Sequence, residues 1–389
     1  MRVYLSPCGI GLGHVGRCVP IAKELMMQGT DVVFSTYRDG IKFVERENFP
    51  LIEVPPIGFK VKPDGTVDFR QTAVNPGFFA VFTLLKQIGA EIEVIESLKP
   101  DVVVSDSRVS PLIAARLLGV PRVCILNQFQ IIVPRRKRFL RLGKLVDAGA
   151  LAIIGKIWTT GIQVLIPDFP APYTISVGNL RIPNSYRKNV RLIGPILPTR
   201  PNQLPSQSKL RKELGLSLDK PVIFAPVSGP LEERVFFMQV LQKIFTHFPE
   251  DYQVVMSLGY PNATEDFVKY GSVTVFKWIP RRFEYLKACD LIICRAGHGT
   301  LMQSICYGKP MLLVPTPNHT EQLNNAKRAV ELGVARMIEQ ENMSKVSLLQ
   351  AVREMLEDEK LKERVEEVEE AVSKLDGLKT AVETIMNAY

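Results

Sequence analysis

Short apolar, β-branched runs alternate with stretches of helical period from one end of this 389-residue chain to the other. Such alternation marks successive βαβ units, and hence a parallel sheet with helices on its faces. The runs predict strands over 3–6, 31–35, 51–54, 102–105, 122–126, 164–166 and 191–193, with helices over 15–28 and 111–118 between them. Residues 194–205 then bring four prolines, which can continue neither element because proline lacks the amide donor that both require. Beyond them the pattern starts afresh, with strands predicted over 222–226, 253–257, 273–276, 291–294, 311–314 and 335–338. From 344 onward the chain reads as charged helix, with Val346, Leu349, Val352 and Leu356 expected to face inward.

The expected fold is therefore α/β, with two Rossmann-like domains at 1–195 and 209–389, a linker at 196–208, and a last helix free to return to the first domain. A chain of this length exceeds what one core organises, which agrees with two domains. Ligands of open α/β sheets sit at the carboxyl ends of the strands, so two such sheets are expected to face each other across a ligand-binding cleft.

Composition narrows the class. Hydrophobic residues at 46% and charged residues at 23% are globular values. The longest apolar run, 148–166, is broken by Gly155, Lys156, Thr159, Thr160, Gly161 and Gln163, short of the ~20 residues of a membrane span. Residues 1–5 lack a basic region followed by an apolar core and run into a glycine loop, so a cytoplasmic protein is expected. The six cysteines lie mostly in apolar stretches without paired CxxC spacing, which reads as buried thiols, with no metal site.

The net charge of +9 is uneven: residues 1–195 hold 25 Lys+Arg against 15 Asp+Glu, a net +10, and the rest is −1. Aromatic-basic interleaving and recognition-helix patterns are missing, so no nucleic-acid partner is expected; an anionic lipid surface or a phosphorylated acceptor suits the excess better.

Two motifs carry candidate chemistry. The first, Pro7-Cys8-Gly9-Ile10-Gly11-Leu12-Gly13-His14, follows strand one and opens a helix. Gly11 and Gly13 would let an acceptor or phosphate approach the backbone at a helix N-terminus. The dinucleotide-binding reading lacks its acidic residue at the end of strand two; Tyr37-Arg38-Asp39 stands there instead. His14, one of four histidines, sits at the helix mouth, and Asp106 ends a strand at the carboxyl edge of the same predicted sheet. A carboxylate on one imidazole nitrogen would make the other a general base for a hydroxyl. A structural histidine, and an Asp106 that caps the helix near Pro111, are the plainer alternatives.

The second motif begins at Lys277-Trp278-Ile279-Pro280-Arg281 and continues through Arg295-Ala296-Gly297-His298-Gly299-Thr300-Leu301-Met302-Gln303. Gly308-Lys309-Pro310 and Glu321-Gln322-Leu323-Asn324-Asn325-Ala326 complete it. Gly297, Gly299 and Thr300 would open a helix able to hold a diphosphate, with Arg295 or His298 adding charge.

Trp278-x-Pro280 through Glu321-Gln322-x-x-Asn325-Ala326 resembles the donor signature of the UDP-glycosyltransferases. Arg295-Ala296-Gly297 more closely resembles the MurG-type N-acetylglucosaminyltransferases and glycolipid synthases. The resemblance spans most of the chain, because the Gly13-His14 loop, the proline-rich linker and the donor segment follow the family's order. It implies the GT-B fold and an inverting, metal-independent transfer from a UDP-sugar, which acts as substrate with no cofactor.

By this resemblance Trp278 and Ile279 would contact uracil, Trp278 by stacking worth roughly 1–3 kcal/mol, with Arg281 alongside. Gly297, Gly299 and Thr300 would line the diphosphate, with Ser228 and Gly229 nearby. Glu321 and Gln322 would bind sugar hydroxyls, and His14 with Asp106 would deprotonate the acceptor. One departure is Gln303, where the family carries a ribose-gripping glutamate. A charged acceptor is worth ~1.5–3 kcal/mol against ~0.5–1.5 for a neutral one, so donor affinity should fall about tenfold. The other is Pro226-Val227-Ser228-Gly229-Pro230, which keeps only Ser-Gly of the usual small-residue turn.

The acceptor side is marked by a long Gly- and Pro-rich connection with aromatics, 55–82, of a kind that often forms lids. The basic run 134–144, with apolar residues interleaved, suits anionic headgroups at the cytoplasmic membrane face; a solvated helix face is its plainer reading. The expected activity is transfer of a hexose or N-acetylhexosamine to a lipid or lipid-linked acceptor. A sugar-nucleotide-binding subunit without catalysis and a UDP-sugar 2-epimerase are the alternatives.

Overall fold

Seven strands, β1 (Arg2–Pro7), β2 (Asp31–Thr36), β3 (Leu51–Glu53), β4 (Val102–Asp106), β5 (Arg122–Ile125), β6 (Gln163–Ile166) and β7 (Val190–Leu192), form a wholly parallel sheet in the order β3-β2-β1-β4-β5-β6-β7. The computed structural model describes residues 1–56, 76–128, 156, 162–180 and 182–389, and the strands named are those among them. Central strands read as unbroken apolar runs because helices cover both faces; all five residues of β4 are buried, whereas edge strand β3 is only half-buried. The strand order reverses between β1 and β4, the switch point where such sheets place ligands.

The first unit groups 1–62, 67–196 and 376–389; the second is mainly 197–375. The Gly377–Met386 helix thus belongs to the first unit, where Ala381, Val382 and Ile385 join the core of Val3, Leu5, Ile21 and Leu25. Gly377 is required there: its amide donates to the Pro195 carbonyl at 3.1 Å, and a Cβ would stand 2.3 Å from the Gly194 carbonyl oxygen. The stretch read as the linker, 196–208, groups with the second unit from Leu197 onward. Lys287 Nζ donates to the Pro201 and Leu204 carbonyls at 2.7 and 2.9 Å, and the Tyr307 hydroxyl to that of Thr199 at 2.8 Å. These side chains take up carbonyls of a proline-rich stretch whose own amides reach few of them.

The second sheet runs β10-β11-β9-β8-β12-β13-β14, from β8 (Val222–Pro226), β9 (Gln253–Ser257), β10 (Phe267–Tyr270), β11 (Val273–Phe276), β12 (Leu291–Cys294), β13 (Met311–Leu313) and β14 (Ala335–Met337). Only the unanticipated β10 is antiparallel. Its four residues are all exposed, so it carries no buried apolar signature. This sheet also has a switch point, between β8 and β12. In the helix Lys345–Glu357 the inward residues are Leu348, Val352 and Met355; Val346 is exposed and Leu349 and Leu356 are only half-buried, which corrects three of the four expected positions.

The Pro76–Leu98 helix occupies part of the stretch read as a connecting loop. Its inward face carries Gln87 and Glu91 as well as Ile95, so its apolar period is masked. Residues 57–75 and the basic run 134–144 lie outside the described residues. Among those described, no helix is long and apolar enough to cross a membrane, and no group of three His, Cys, Asp or Glu is placed to hold a metal ion.

Candidate functional site

In the first unit the switch point brings His14 and Asp106 together. Pro7, the last residue of β1, pairs in register with Asp106, the last of β4. The helix Gly13–Met27 then turns the His14 ring over that carboxylate, with Nδ1 2.8 Å from Asp106 Oδ1. Asp106 is fully buried, yet the helix-capping alternative does not hold: the helix Ser110–Leu117 takes no side-chain cap.

Arg17, one turn after His14, donates through Nε to Asp106 Oδ2 and through Nη2 to Oδ1. Burial pushes the carboxyl towards its neutral form, but the Arg17 guanidinium and then His14 outweigh it and hold the group well below the ordinary carboxylate range. Facing an ionised carboxylate, which only accepts, Nδ1 as the donor leaves the ring's lone pair on Nε2; Arg17 Nη2, which only donates, lies 2.9 Å from the same Nδ1 and favours the other tautomer. Arg17 is the member of this trio that sequence reasoning passed over; its i+3 spacing from His14 was the available signal.

The glycine loop is built differently from expectation. Gly9 is required by close approach, since a Cβ would lie 1.7 Å from the Tyr37 carbonyl oxygen. The amide of Gly11 (φ +69°) donates to Asp39 Oδ2 at 3.1 Å. Asp39 therefore ties down the loop, and the Gly11 amide proposed for an anion is already engaged. Gly13 remains open: a Cβ there would meet nothing within 4 Å.

Behind the loop, Arg108 pairs with Glu91 of the Pro76–Leu98 helix, Tyr4 donates to the other Glu91 oxygen at 2.7 Å, and Arg108 Nη1 reaches Ser35 Oγ at 3.1 Å. Neither Glu91 nor Arg108 was singled out from the sequence. The pair ties that helix to the carboxyl ends of β1, β2 and β4. Ser107, between Asp106 and Arg108, has φ +59°, a conformation a non-glycine residue keeps only when its surroundings enforce it.

In the second unit, loops after β8, β11, β12 and β13 carry the residues expected to bind the donor. Gly297 (φ −65°) precedes the helix His298–Cys306 with no side-chain cap, which leaves its first amides to an incoming acceptor. A Cβ at Gly297 or Gly299 would meet nothing within 4 Å, so packing does not demand these glycines. Thr300 and His298 are buried at the helix start. Ser228 and Gly229 (φ +115°) form the half-buried turn after β8. Trp278 is half-buried in the loop after β11, whereas the neighbouring Ile279 side chain belongs to the core.

Three expected donor contacts are directed elsewhere. Arg295 is buried with its guanidinium 4.1 Å from the Phe237 ring centre, and Nη1 donates to Gln340 Oε1 at 2.5 Å and to the Val314 carbonyl; burial lowers its pKa to about 10. Arg281 is engaged by Glu284 and Glu213, each at 3.2 Å. Buried Gln322 turns its Oε1 to the Thr316 amide at 2.8 Å, while Glu321 stays half-buried. The Gln303 carbonyl oxygen is buried and accepts no hydrogen bond among the described residues. Arg282, not anticipated, reaches Thr300 Oγ1 through Nη2 at 3.3 Å.

A cavity of about 470 Å³ lies at the opposite, amino edge of this sheet. Two of its charged groups are engaged within the protein, Arg211 by Asp290 and Lys309 by the Cys289 carbonyl.

The glycosyltransferase family 28 C-terminal domain matches residues 228–382. An uncharacterized glycosyltransferase of Methanosarcina mazei is 27% identical over 99% of this chain and 98% of its own. The UDP-N-acetylglucosamine–N-acetylmuramyl-(pentapeptide) pyrophosphoryl-undecaprenol N-acetylglucosamine transferase of Bacillus licheniformis is 27% identical over 94% of this chain and 92% of its own. Among solved structures, the spinosyn rhamnosyltransferase SpnG complexed with thymidine diphosphate superposes with a TM-score of 0.67 at 16% identity, over the whole of both chains. Fold and relatives together define the class: the chain is a glycosyltransferase of the GT-B fold. Residues 228–382 are similar to the family 28 C-terminal domain, and the full-length likeness extends to the MurG-type transferases.

Proposed function

We propose that the enzyme moves a hexose or N-acetylhexosamine from a UDP-sugar to a hydroxyl of a lipid or lipid-linked acceptor, with inversion and without a metal ion, at the cytoplasmic membrane face. The observation that carries the reaction type is the 2.8 Å contact of His14 Nδ1 with the buried Asp106 carboxylate. His14 Nε2 takes the acceptor proton as the acceptor oxygen bonds to the anomeric carbon. The bond from that carbon to the diphosphate oxygen breaks on the opposite face, and UDP leaves with the electron pair. Asp106 balances the imidazolium so formed, and the helix start at 297–300 stabilises the charge developing on the diphosphate.

The donor and acceptor classes are supported by the Bacillus relative, whose name gives UDP-N-acetylglucosamine and a pyrophosphoryl-undecaprenol acceptor. The +10 charge of residues 1–195 supports an anionic lipid surface as partner.

The test is incubation with radiolabelled UDP-glucose, UDP-galactose and UDP-N-acetylglucosamine and membrane lipids, with EDTA present. Labelled glycolipid from the wild type and its loss in His14→Ala support the proposal. Transfer unaffected by His14→Ala, or dependent on added divalent metal, refutes it. Replacing Arg135, Arg136, Lys137 and Arg138 by serine tests the membrane partner: sedimentation with anionic liposomes should fall, and unchanged sedimentation removes the basic run from the proposal.

A further inference from the structure

Three arginines approach the donor loops of the second unit, and their surroundings separate them. Arg281 is held between Glu284 and Glu213. Arg295, whose Nε and Nη2 are buried without acceptors among the described residues, is folded back over the Phe237 ring onto Gln340 and the Val314 carbonyl, away from the helix start at 297–300 that Arg282 touches. Arg282 has no carboxylate partner among the described residues; its one side-chain contact is Nη2 to Thr300 Oγ1 at 3.3 Å, and its Nε is buried without an acceptor.

Two physical costs attach to this arrangement. Arg282 opens the helix Arg282–Ala288, where the helix dipole disfavours a cation. Burial also works against its charge, pulling the guanidinium below its ordinary pKa. A bound anion would offset both costs, since a partly buried cation without a counterion is unfavourable. The neighbouring groups point to the same ligand. Thr300 lies in the first turn of the helix His298–Cys306, whose leading amides have no side-chain cap and whose Gly297 and Gly299 leave open space.

We propose that Arg282 is the specificity-determining cation for the diphosphate of the nucleotide donor, acting with Thr300 and the amides at 297–300. This rests on the donor-site reading above. A bidentate guanidinium can hold two phosphate oxygens, and a planar fork does so better than an ammonium group. Arg282 distinguishes a nucleoside diphosphate from a nucleoside or monophosphate, while the base is recognised separately around Trp278.

Titration calorimetry of wild type, Arg282→Gln and Arg282→Lys with UDP, UMP and uridine, and with dTDP and thymidine, tests this. The ratio of diphosphate to nucleoside affinity should fall about 10- to 100-fold in Arg282→Gln, with nucleoside affinity unchanged, and part of it should return in Arg282→Lys. An unchanged ratio, or equal loss of nucleoside and diphosphate, overturns the role of Arg282. Wild-type protein that binds dTDP but not UDP refutes the uracil reading and leaves the dTDP-to-thymidine ratio to judge Arg282. Wild-type protein that binds neither diphosphate overturns both. Should Arg282→Gln fail to fold, Arg282→Lys alone decides, since a ratio equal to that of wild type refutes a need for the guanidinium fork.

Discussion

Arg17 grips the Asp106 carboxylate with two N–H donors from the same helix that carries His14, so one fully buried carboxylate serves two basic side chains. Fixing both carboxylate oxygens leaves Oδ1 in one place for the imidazole. Arg17 is a positioning residue rather than a group that touches substrate. Arg17→Ala should lower kcat about 10-fold or more while changing donor KM little, the pattern of a lost transition-state contact. It should also move the acid limb of the pH–rate profile upward, because Asp106 loses the cation that keeps it ionised. Besides Arg17 and His14, the groups near this carboxylate are the thiols of Cys18 on the same helix and Cys124 on β5, whose pKa values burial raises well above ordinary, and Cys8 of the glycine loop. Arg17→Lys should recover part of the rate.

The same carboxylate makes a stability prediction. Its folded pKa lies below the ordinary value of 3.8, so its ionised form stabilises the protein above that value, and the contribution disappears as pH falls through the folded pKa. Asp106→Asn leaves Arg17 without its buried partner and should cost about 3–5 kcal/mol near neutral pH. Thermal unfolding should show the gap to wild type wide at pH 6 to 7 and narrower below pH ~4. A gap that stays constant across that range would exclude the ion pair as its source.

The parts of the fold visible in the sequence were those decided locally. Buried parallel strands such as Val102-Val103-Val104 announce themselves because both faces are apolar. The Pro76–Leu98 helix did not, since its inward Gln87 and Glu91 become tolerable only through partners distant in sequence, Tyr4 and Arg108. Among candidate site residues, His14 and Asp106 could be paired from strand order alone. The arginines could not: whether a guanidinium faces a ligand or the core depends on Phe237, Gln340 and Glu213, none of them near in sequence to the motif it was read from.

Glu91 and Arg108 therefore give a test that separates scaffold from chemistry. Glu91→Ala strands a buried guanidinium and leaves the Tyr4 hydroxyl without its acceptor, for a loss of about 3–5 kcal/mol. Denaturant titration should show a lower midpoint, whereas nucleotide binding, which the donor proposal assigns to the second unit, should survive in the folded fraction. Equal stability in the variant would contradict the network.

The two glycines on either side of the loop should behave oppositely. Gly9→Ala forces a Cβ to 1.7 Å from the Tyr37 carbonyl oxygen, which only a backbone shift can relieve, so the variant should be strongly destabilised or fail to fold. Gly13→Ala meets nothing within 4 Å and puts the better helix former into the Gly13–Met27 helix, so it should fold normally. Any fall in its transfer rate then reports a methyl group in the path of the acceptor, and near-wild-type kinetics would exclude close acceptor approach at Gly13.

Gln303 makes the sharpest demand on the donor reading. Its buried carbonyl oxygen accepts no bond among the described residues, so a ribose hydroxyl can be its donor. Gln303→Glu replaces that neutral acceptor with a charged one. If the hydroxyl binds there, UDP affinity should rise about tenfold, in line with charge-assisted against neutral hydrogen bonds. Without ligand the same change buries a carboxylate, so the free variant should melt earlier than wild type and gain more from saturating UDP. Calorimetry and thermal shift together decide the matter: lower stability with unchanged UDP affinity would remove Gln303 from the donor site.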